Sequence, residues 1–233
     1  MAAADSYVPP AVIVARANHT VSAGSETKPA PVTVQPAHAV PVPACTPVTV
    51  AMPGAVALQT GTRGVQIVAD PVYYYKVYGT TVHQAAAETA ACAPLAQGTR
   101  EYTGYTAYTL NWRYTFTPTA GGSCAIGDAA VGLHIQTVVP DWADAQTAAV
   151  ADQAAWRQFA QNLMNHEQGH GSLDRHFADE LYAKLQTLSA TDCATLSTQA
   201  ASIARQYVAD VAAANTNYDQ MTDHGATQGA ILP

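Results

Sequence analysis

An unbroken apolar stripe in the C-terminal half of the chain limits what this half can fold into. Its members follow one another at steps of three or four residues, which is the spacing of one face of an α-helix. The stripe consists of Trp156, Phe159, Leu163, His166, His170, Leu173, Phe177 and Leu181. We therefore predict one long helix, in which the two histidines of the stripe point toward the body of the protein.

These histidines belong to the sequence "HEQGH", in which a glutamate directly follows the first histidine. Residues four apart on a helix point in similar directions, so His166 and His170 can bind one cation. Glu167 then lies at the side of that site, where it can hold a water molecule and take its proton. The H-E-x-x-H motif thus provides two zinc ligands and a general base on one turn of helix.

The alternative is that the match is accidental and that both histidines are ordinary polar residues. With eight histidines and five glutamates in the chain, composition alone produces the pattern in about one of two hundred such sequences. Two imidazoles on an apolar face would also each need a buried polar partner. A metal ion satisfies both rings, and the sequence therefore favours a zinc site.

A second helical pattern begins after a short polar segment. Thr191 or Asp192 is a suitable N-cap for it. The apolar face of this pattern carries Leu196, Ile203, Tyr207 and Val211. Two long helices joined by a short loop pack antiparallel, so we predict an αα-hairpin.

The part of the chain before Pro140 is rich in β-branched and aromatic residues. The predicted strands span 65–70, 72–79, 102–119 and 129–139, and a short helix is predicted at 80–97, between the second and third strands. Because several of these segments alternate apolar and polar positions, we expect a mostly antiparallel sheet with one buried face. The predicted fold class is α+β.

Residues 1–55 differ from the rest because they contain nine of the fourteen prolines. Proline lacks the backbone donor that a helix needs, so we predict an extended N-terminal segment here. The remaining residues, 56–233, suit one domain with a sizeable core.

The formal net charge is −7, and no basic cluster offsets it. Nucleic acids and anionic membrane surfaces attract basic patches, so we expect neither as a partner. The apolar runs are also too short for a transmembrane segment. The sequence leaves the oligomeric state open.

The four cysteines are dispersed along the chain and form no C-x-x-C pair, which argues against a cysteine metal site. An even number of cysteines fits two disulfides in an oxidising compartment, with four buried free thiols as the alternative. We predict that Cys124 pairs with Cys193 and Cys45 with Cys92. The first bridge would join the sheet to the helical hairpin.

The start of the chain, "MAAADSYVPP", lacks the basic and apolar regions of a signal peptide. The protein is then either cytosolic, or the chain is a mature form that begins with a replacement methionine. The predicted disulfides favour a secreted or periplasmic location.

Several stretches together resemble a bacterial family of predicted secreted zinc-dependent proteases that is catalogued as a domain of unknown function. They are "YYYKVYGTT", "YTAYTLNWRYTF", "SCAIGD", "VVPDW", "WRQFAQNLMNHEQGHGSL", a cysteine opening the next helix, and "NYDQMTDHGATQGA". The resemblance covers roughly residues 72–230 and is most specific in the last stretch. It implies protease chemistry and zinc, but no particular substrate.

The remaining zinc ligand has to come from outside the motif. His176 has the spacing of the third metzincin histidine, but the required glycine is Leu173 here. On a continuous helix His176 also points about 240° away from His170. No glutamate follows Glu180, which leaves Asp192, Asp210, Asp219, Asp223 and His224 downstream.

Of these, His224 is our prediction for the third ligand, with Asp219 as the alternative. His224 precedes Gly225 in an irregular segment that can fold back over the helices, and it belongs to the most family-specific stretch. Tyr218, in the same stretch, could donate a hydrogen bond to a developing oxyanion. Asp174, one turn beyond His170, is either a hydrogen-bond partner of a ligand imidazole or an ordinary surface charge.

We therefore expect a zincin-like metallopeptidase in which a mostly antiparallel sheet precedes a long active-site helix and its antiparallel partner. Its substrate would be a protein or peptide, hydrolysed through a water activated by Zn²⁺. The alternative is a non-catalytic, zinc-stabilised binding or structural module on the cell envelope. A purely structural site would have no use for Glu167.

Overall fold

The computed structural model describes residues 50–93 and 103–232 of the chain. Within them the protein is a mixed α/β structure with a sheet and three helices. In chain order the elements are β1 (Gly64–Ala69), β2 (Tyr73–Val77), α1 (Val82–Cys92), β3 (Tyr105–Pro118), β4 (Cys124–Trp142), α2 (Val150–Gln186), β5 (Ser189–Ala190) and α3 (Cys193–Thr222). The strands and helices expected from the sequence are present in the expected order, and the short β5 is an addition.

The sheet is built around β4. β3 runs antiparallel along one side of β4, after a turn at Ala120–Gly122. β1 and β2 lie one after the other along the opposite side, and both run parallel to β4. β1 pairs with Ala130–Ile135 and β2 with Val138–Trp142. β5 pairs antiparallel with the first two residues of β4.

The expectation of a mostly antiparallel sheet is therefore wrong, because two of the four described strand pairings are parallel. Alternating apolar and polar residues predict a strand with one buried face, but they do not give its direction. Direction depends on the connections, since a hairpin reverses the chain whereas a longer crossover returns it parallel. α1 and β3 lie between β2 and β4 in the chain and provide such a crossover.

Helix α2 packs across one face of the sheet and divides the core into two clusters. Near its start, α2 packs with β2, α1 and the end of β4 through Trp156, Phe159 and Leu163. Near its end, it packs with α3 and the long strands through Ala178, Leu181 and Leu185. The turns that carry the H-E-x-x-H motif lie between these two clusters.

Helices α2 and α3 form the predicted antiparallel hairpin. His166 lies beside Asp219, whereas Asp174, two turns further along α2, lies beside Asn215, one turn earlier on α3. Asp192 is the N-cap of α3 and accepts a hydrogen bond from the backbone N–H of Thr195. The two helices therefore face each other along the turns that carry the motif.

The buried face of α3 differs in part from the predicted one. Leu196 and Val211 are buried as expected, but Ile203 and Tyr207 are only partly buried. The other apolar residues of the buried face are Ala200, Ala204 and Val208. Small side chains allow two helices to approach closely, and a pattern search for large apolar residues overlooks them.

A disulfide joins Cys124, the first residue of β4, to Cys193, the first residue of α3, as predicted. It attaches the helical hairpin to the sheet. The other predicted bridge involves Cys45, which lies outside the described residues. Among the helices of the described part, none is long and apolar enough to cross a membrane.

From residue 50 onward the chain is attached to the sheet. The backbone N–H and C=O of Val56 both bond to the side chain of Asn111, and the carbonyl of Pro53 accepts from Thr109. The last residues of the predicted N-terminal segment therefore contact the domain. Residues 1–49 lie outside the described part.

Candidate metal centre

The H-E-x-x-H motif lies near the middle of α2, and its three functional side chains are buried. The exposed fractions of His166, Glu167 and His170 are 0%, 1% and 1%. α2 places both imidazoles on its inner face, where α3 packs against it, as the apolar stripe predicts. Burial of three polar side chains is costly unless each has a partner.

Asp219 of α3 lies against both histidines. Its Oδ1 is 3.3 Å from His166 Nε2 and 3.0 Å from His170 Nε2. The two Nε2 atoms are themselves 3.3 Å apart. Within residues 50–93 and 103–232, His166, His170 and Asp219 form the group of side chains that could hold a metal ion.

The outer nitrogen of each imidazole is held by a side-chain amide. His170 Nδ1 is 2.6 Å from Asn215 Oδ1, and His166 Nδ1 is 2.9 Å from Gln228 Oε1. An amide oxygen only accepts hydrogen bonds, so each Nδ1 carries the hydrogen. Both rings therefore present the lone pair of Nε2 to the space that they share with Asp219.

The spacing of these donors fits a tetrahedral metal ion. Two donors that each lie about 2.05 Å from one tetrahedral ion are about 3.3 Å apart. The observed separations among His166, His170 and Asp219 are 3.3, 3.3 and 3.0 Å. Lone pairs that face one another at such distances repel unless a cation lies between them. The residues present therefore fit a divalent metal bound by two imidazoles and a carboxylate.

Glu167 lies beside this donor group, and neither of its carboxylate oxygens has a hydrogen-bond partner among the described residues. Burial raises the pKa of Glu167 to about 7, against the opposing effect of His170 and His166. At His170 burial lowers the pKa, but Asp219 and Glu167 outweigh it, so the pKa of the metal-free residue is raised. A buried carboxyl group that exchanges its proton near neutral pH suits general-base chemistry.

Tyr218 of α3 lies against both imidazoles. Its ring stacks on that of His166, with centroids 5.1 Å apart and planes inclined by 11°, and meets the ring of His170 edge-on. The Tyr218 hydroxyl accepts a hydrogen bond of 3.0 Å from Gln228 Nε2. The contact in the other direction, toward Gln228 Oε1, is long at 3.5 Å, so the hydroxyl hydrogen is only weakly engaged.

The geometry favours Asp219 over His224 as the third ligand. The His224 side chain is 27% exposed, and its Nδ1 lies 4.0 Å from Asp219 Oδ1. α3 continues to Thr222, which keeps Asp219 on the buried face, whereas His224 follows in a left-handed conformation with φ of 51°. His176 is exposed and pairs with Glu180 at 3.4 Å, away from the donor group as the helix geometry predicts.

The residues after α3 fold back over the centre. Asp223, His224, Gly225 and Gly229 all have positive φ, which reverses the chain. Gly225 lies so close to His166 that a Cβ there would be 3.0 Å from the ring. Gln228 then bonds to the same ring, as described above, and Ala230 is fully buried. In this arrangement the donor group and Glu167 are closed off from solvent.

The chain matches the family described as "Bacterial protein of unknown function (DUF922)" over residues 72–225. The match spans about two thirds of the chain and includes both helices of the hairpin with the three donors. The chain belongs to this family. Neither a curated protein nor a solved structure matches it. The family description names no activity for DUF922 proteins.

Two residues of this DUF922 protein that contact the histidines, Asn215 and Gln228, were given no role by the sequence prediction. A signal existed for Asn215, because Asn215 and Asp219 continue the buried face of α3 at steps of four from Val211. Polar residues on an apolar stripe are the same signal that identified the two histidines on α2. Gln228 lies in the single 3-10 turn Ala226–Gln228, which has no apolar stripe, and its signal in the sequence was membership of the family-specific stretch "NYDQMTDHGATQGA".

Proposed function

We propose that this protein is a zinc-dependent metallopeptidase that hydrolyses peptide bonds in a protein or peptide substrate. The observation that carries the proposal is the buried carboxylate of Glu167, which has no hydrogen-bond partner among the described residues and lies beside three converging metal donors. A site that only stabilises the fold needs the donors and has no use for Glu167. A hydrolytic site needs both.

His166, His170 and Asp219 would hold the ion. Two imidazoles and one carboxylate are a donor set of catalytic zinc sites, which leave a further position open. A bound zinc ion lowers the pKa of water toward 7 and polarises a carbonyl group. The N,N,O composition and the tetrahedral spacing of the donors support zinc over Mg²⁺ or Ca²⁺, which prefer oxygen ligands.

Glu167 would act as the general base. It follows the first ligand on the same turn of α2. Neither of its carboxylate oxygens has a hydrogen-bond partner among the described residues, although Thr106 lies close enough to lower its pKa. It can therefore orient a water molecule, take one of its protons, and pass that proton to the leaving amine. Removal of the proton and attack of the water oxygen on the peptide carbon then occur together.

Tyr218 would donate a hydrogen bond to the oxygen of the attacked carbonyl as negative charge develops on it. Its position against both imidazoles supports this role, and so does its weakly engaged hydroxyl hydrogen. A peptide can reach these buried groups only if the residues after α3, from Asp223 to Ala230, move away. The run of positive-φ residues at the start of this segment is a suitable place for such a movement.

We also propose that the protein works in a secreted or periplasmic setting. The Cys124–Cys193 disulfide supports this, because such bonds persist in oxidising compartments. The formal charge of −7 argues against nucleic acid as the substrate.

The proposal is tested by metal analysis of the purified protein, followed by incubation with a peptide library. We expect one zinc per chain and cleavage that stops when zinc is removed and returns when zinc is added back. The matched control is Glu167→Gln, which keeps the shape of the side chain but removes its basicity, and which should retain zinc and lose hydrolysis.

Two outcomes would contradict the proposal. Bound zinc with no cleavage of any peptide would favour the zinc-stabilised structural module. Iron in place of zinc would overturn the assignment of the metal.

A further inference from the structure

We infer that Asp174 is a positioning residue for the metal centre and that it acts through Asn215 on His170. Asp174 touches no metal donor itself. By fixing the orientation of the Asn215 amide, it fixes which nitrogen of His170 carries the hydrogen. The inference rests on the proposed metal site and is independent of the peptidase reaction.

The first step is the orientation of the Asn215 side chain. Its Nδ2 donates two hydrogen bonds, one to Asp174 Oδ1 at 2.9 Å and one to the carbonyl of Val211 at 2.9 Å. A carboxylate and a carbonyl only accept hydrogen bonds, so the NH₂ group has to face them. Oδ1 of Asn215 is therefore directed toward His170.

The second step is the tautomer of His170. Asn215 Oδ1 can only accept, so the hydrogen of the imidazole lies on Nδ1, at the 2.6 Å contact. Nε2 is then left with its lone pair toward His166 and Asp219. If the amide were turned around, its NH₂ group would face Nδ1, and His170 would carry its hydrogen on Nε2, where a metal has to bind.

The third step concerns the burial of Asp174. This residue is 1% exposed, and its second oxygen has no hydrogen-bond partner in the described part of the chain. A buried carboxylate with one unpartnered oxygen destabilises the fold. The contact with Asn215 gives this buried carboxylate a function that can offset its cost. Residues that hold a metal ligand in place through hydrogen bonds commonly contribute 10–100-fold to metal affinity.

The experiment compares the affinity of metal-free variants for zinc ion by competition with a chromophoric chelator. Asp174→Leu removes the acceptor and keeps the branched shape of the side chain, and we expect its zinc affinity to fall 10–100-fold. Asp174→Asn retains an acceptor oxygen, and we expect its affinity to stay within about fivefold of wild type, because the hydrogen bond to Asn215 can still form. Tyr108→Phe is the control, because it removes a buried hydroxyl close to Asp174 that has no hydrogen-bond partner among the described residues. The affinity of Tyr108→Phe should not change.

A double-mutant cycle tests whether Asp174 acts through Asn215. If it does, Asp174→Leu combined with Asn215→Leu loses no more zinc affinity than Asn215→Leu alone. Independent, multiplying losses would overturn the inference. The visible spectrum of the cobalt-substituted protein provides a second readout. Asp174→Leu should alter this spectrum, whereas a general loss of stability would leave the spectrum of the bound fraction unchanged.

Asp174→Ala and Asn215→Ala keep the test decisive if the leucine variants do not fold, because they remove the same groups without adding volume. We expect Asp174→Ala to lower zinc affinity 10–100-fold, and to cost no more in combination with Asn215→Ala than Asn215→Ala costs alone. An affinity of Asp174→Ala within about twofold of wild type would contradict the inference. If wild type itself bound no zinc, the proposed function would fail and the inference with it, whereas an unchanged affinity of Asp174→Leu would overturn the inference alone.

Discussion

Tyr218 and Gly169 are in direct contact across the two helices of the hairpin, where the absence of a side chain at Gly169 makes room for the tyrosine. A Cβ at position 169 would overlap the hydroxyl and the ring of Tyr218. The ring cannot easily yield, because it stacks on His166 and bonds to Gln228. The packing of the two helices beside the centre therefore depends on this glycine.

We predict that Gly169→Ala destabilises the protein by about 1–3 kcal/mol, as overpacking of a close contact does. The variant should also bind zinc more weakly, because Tyr218 is displaced from His166. Gly171→Ala is the matched control on the same helix, since a Cβ there meets only the flexible end of Arg175 at 3.3 Å and Ile135 at 4.0 Å. That variant should be neutral or more stable by up to about 1 kcal/mol. Urea denaturation measures both, and equal effects would refute the argument.

The assignment of the third ligand is tested by a pair of substitutions. We expect Asp219→Ala to reduce zinc affinity by more than about 100-fold, because it removes a metal donor. Loss of a residue that only hydrogen-bonds to a ligand costs up to about 100-fold. His224→Ala should change affinity by only a few fold, since its nitrogen lies 4.0 Å from the Asp219 oxygen and outside the donor group. Isothermal titration of both variants decides the matter. The reverse order of effects would restore His224 as the ligand.

Asp174 gives a prediction about stability and pH in the metal-free protein. Burial raises the pKa of its carboxyl group from 3.8 to about 7, and the hydrogen bond from Asn215 opposes this only in part. The folded state therefore holds the proton more tightly than the unfolded chain between these two values. The contribution of Asp174 to the free energy of unfolding therefore falls as the pH rises from about 3.8 to about 7. At 1.36 kcal/mol per pKa unit, the loss is at most about 4 kcal/mol.

Asp174→Asn cannot titrate, so this loss disappears in the variant. We expect metal-free Asp174→Asn to gain stability relative to wild type as pH rises from 4 to 8. Urea denaturation at several pH values measures the difference, in which the similar contribution of Glu167 cancels. A difference that does not depend on pH would show that Asp174 stays ionised in the folded protein.

The disulfide should contribute to stability without affecting the metal. Cys124 and Cys193 are 69 residues apart in the sequence, and closure of a loop of that length is worth about 4 kcal/mol. We expect the double variant Cys124→Ala, Cys193→Ala to lose about 2–5 kcal/mol of unfolding free energy. Its zinc affinity should be unchanged, because Cys193 lies 26 residues before Asp219 on the same helix, about 39 Å along the axis. A large loss of zinc affinity would show that the far end of α3 depends on the bridge.

The candidate metal donors and the disulfide lie at opposite ends of the helical hairpin, and they show which contacts could be predicted from the sequence. His166, Glu167 and His170 were found because a motif with a chemical meaning coincides with an apolar stripe. Asp219 was left as the alternative because His224, beside Gly225 in a segment able to fold back, was the preferred donor. Only the packing of α3 against α2 brings Asp219 against both histidines. The pairing of Cys124 with Cys193 could be predicted although the two lie far apart in the sequence, because four cysteines can form two disulfides in only about three ways.

Strand direction was not accessible in the same way. The stretches that became β1 and β2 show the composition of strands, but their composition is equally compatible with either direction beside β4. The amides of Asn215 and Gln228 act through their orientation, which depends on partners from three separate segments. Such relationships arise only after the chain has folded.

The division of the candidate metal donors between two helices has a consequence for how a metal ion would enter the site. His166 and His170 form a half-site on α2 alone, before Asp219 arrives from a position 49 residues later in the chain. An exposed pair of imidazoles binds Cu²⁺ more tightly than Zn²⁺, in keeping with the Irving–Williams order. A chain that meets metal before α3 docks is therefore open to copper, whereas the completed hairpin offers a carboxylate and a tetrahedral spacing. We expect copper to compete with zinc more strongly when both are present during refolding than when they are added afterwards, and equal competition would show that the order of assembly plays no part in metal choice.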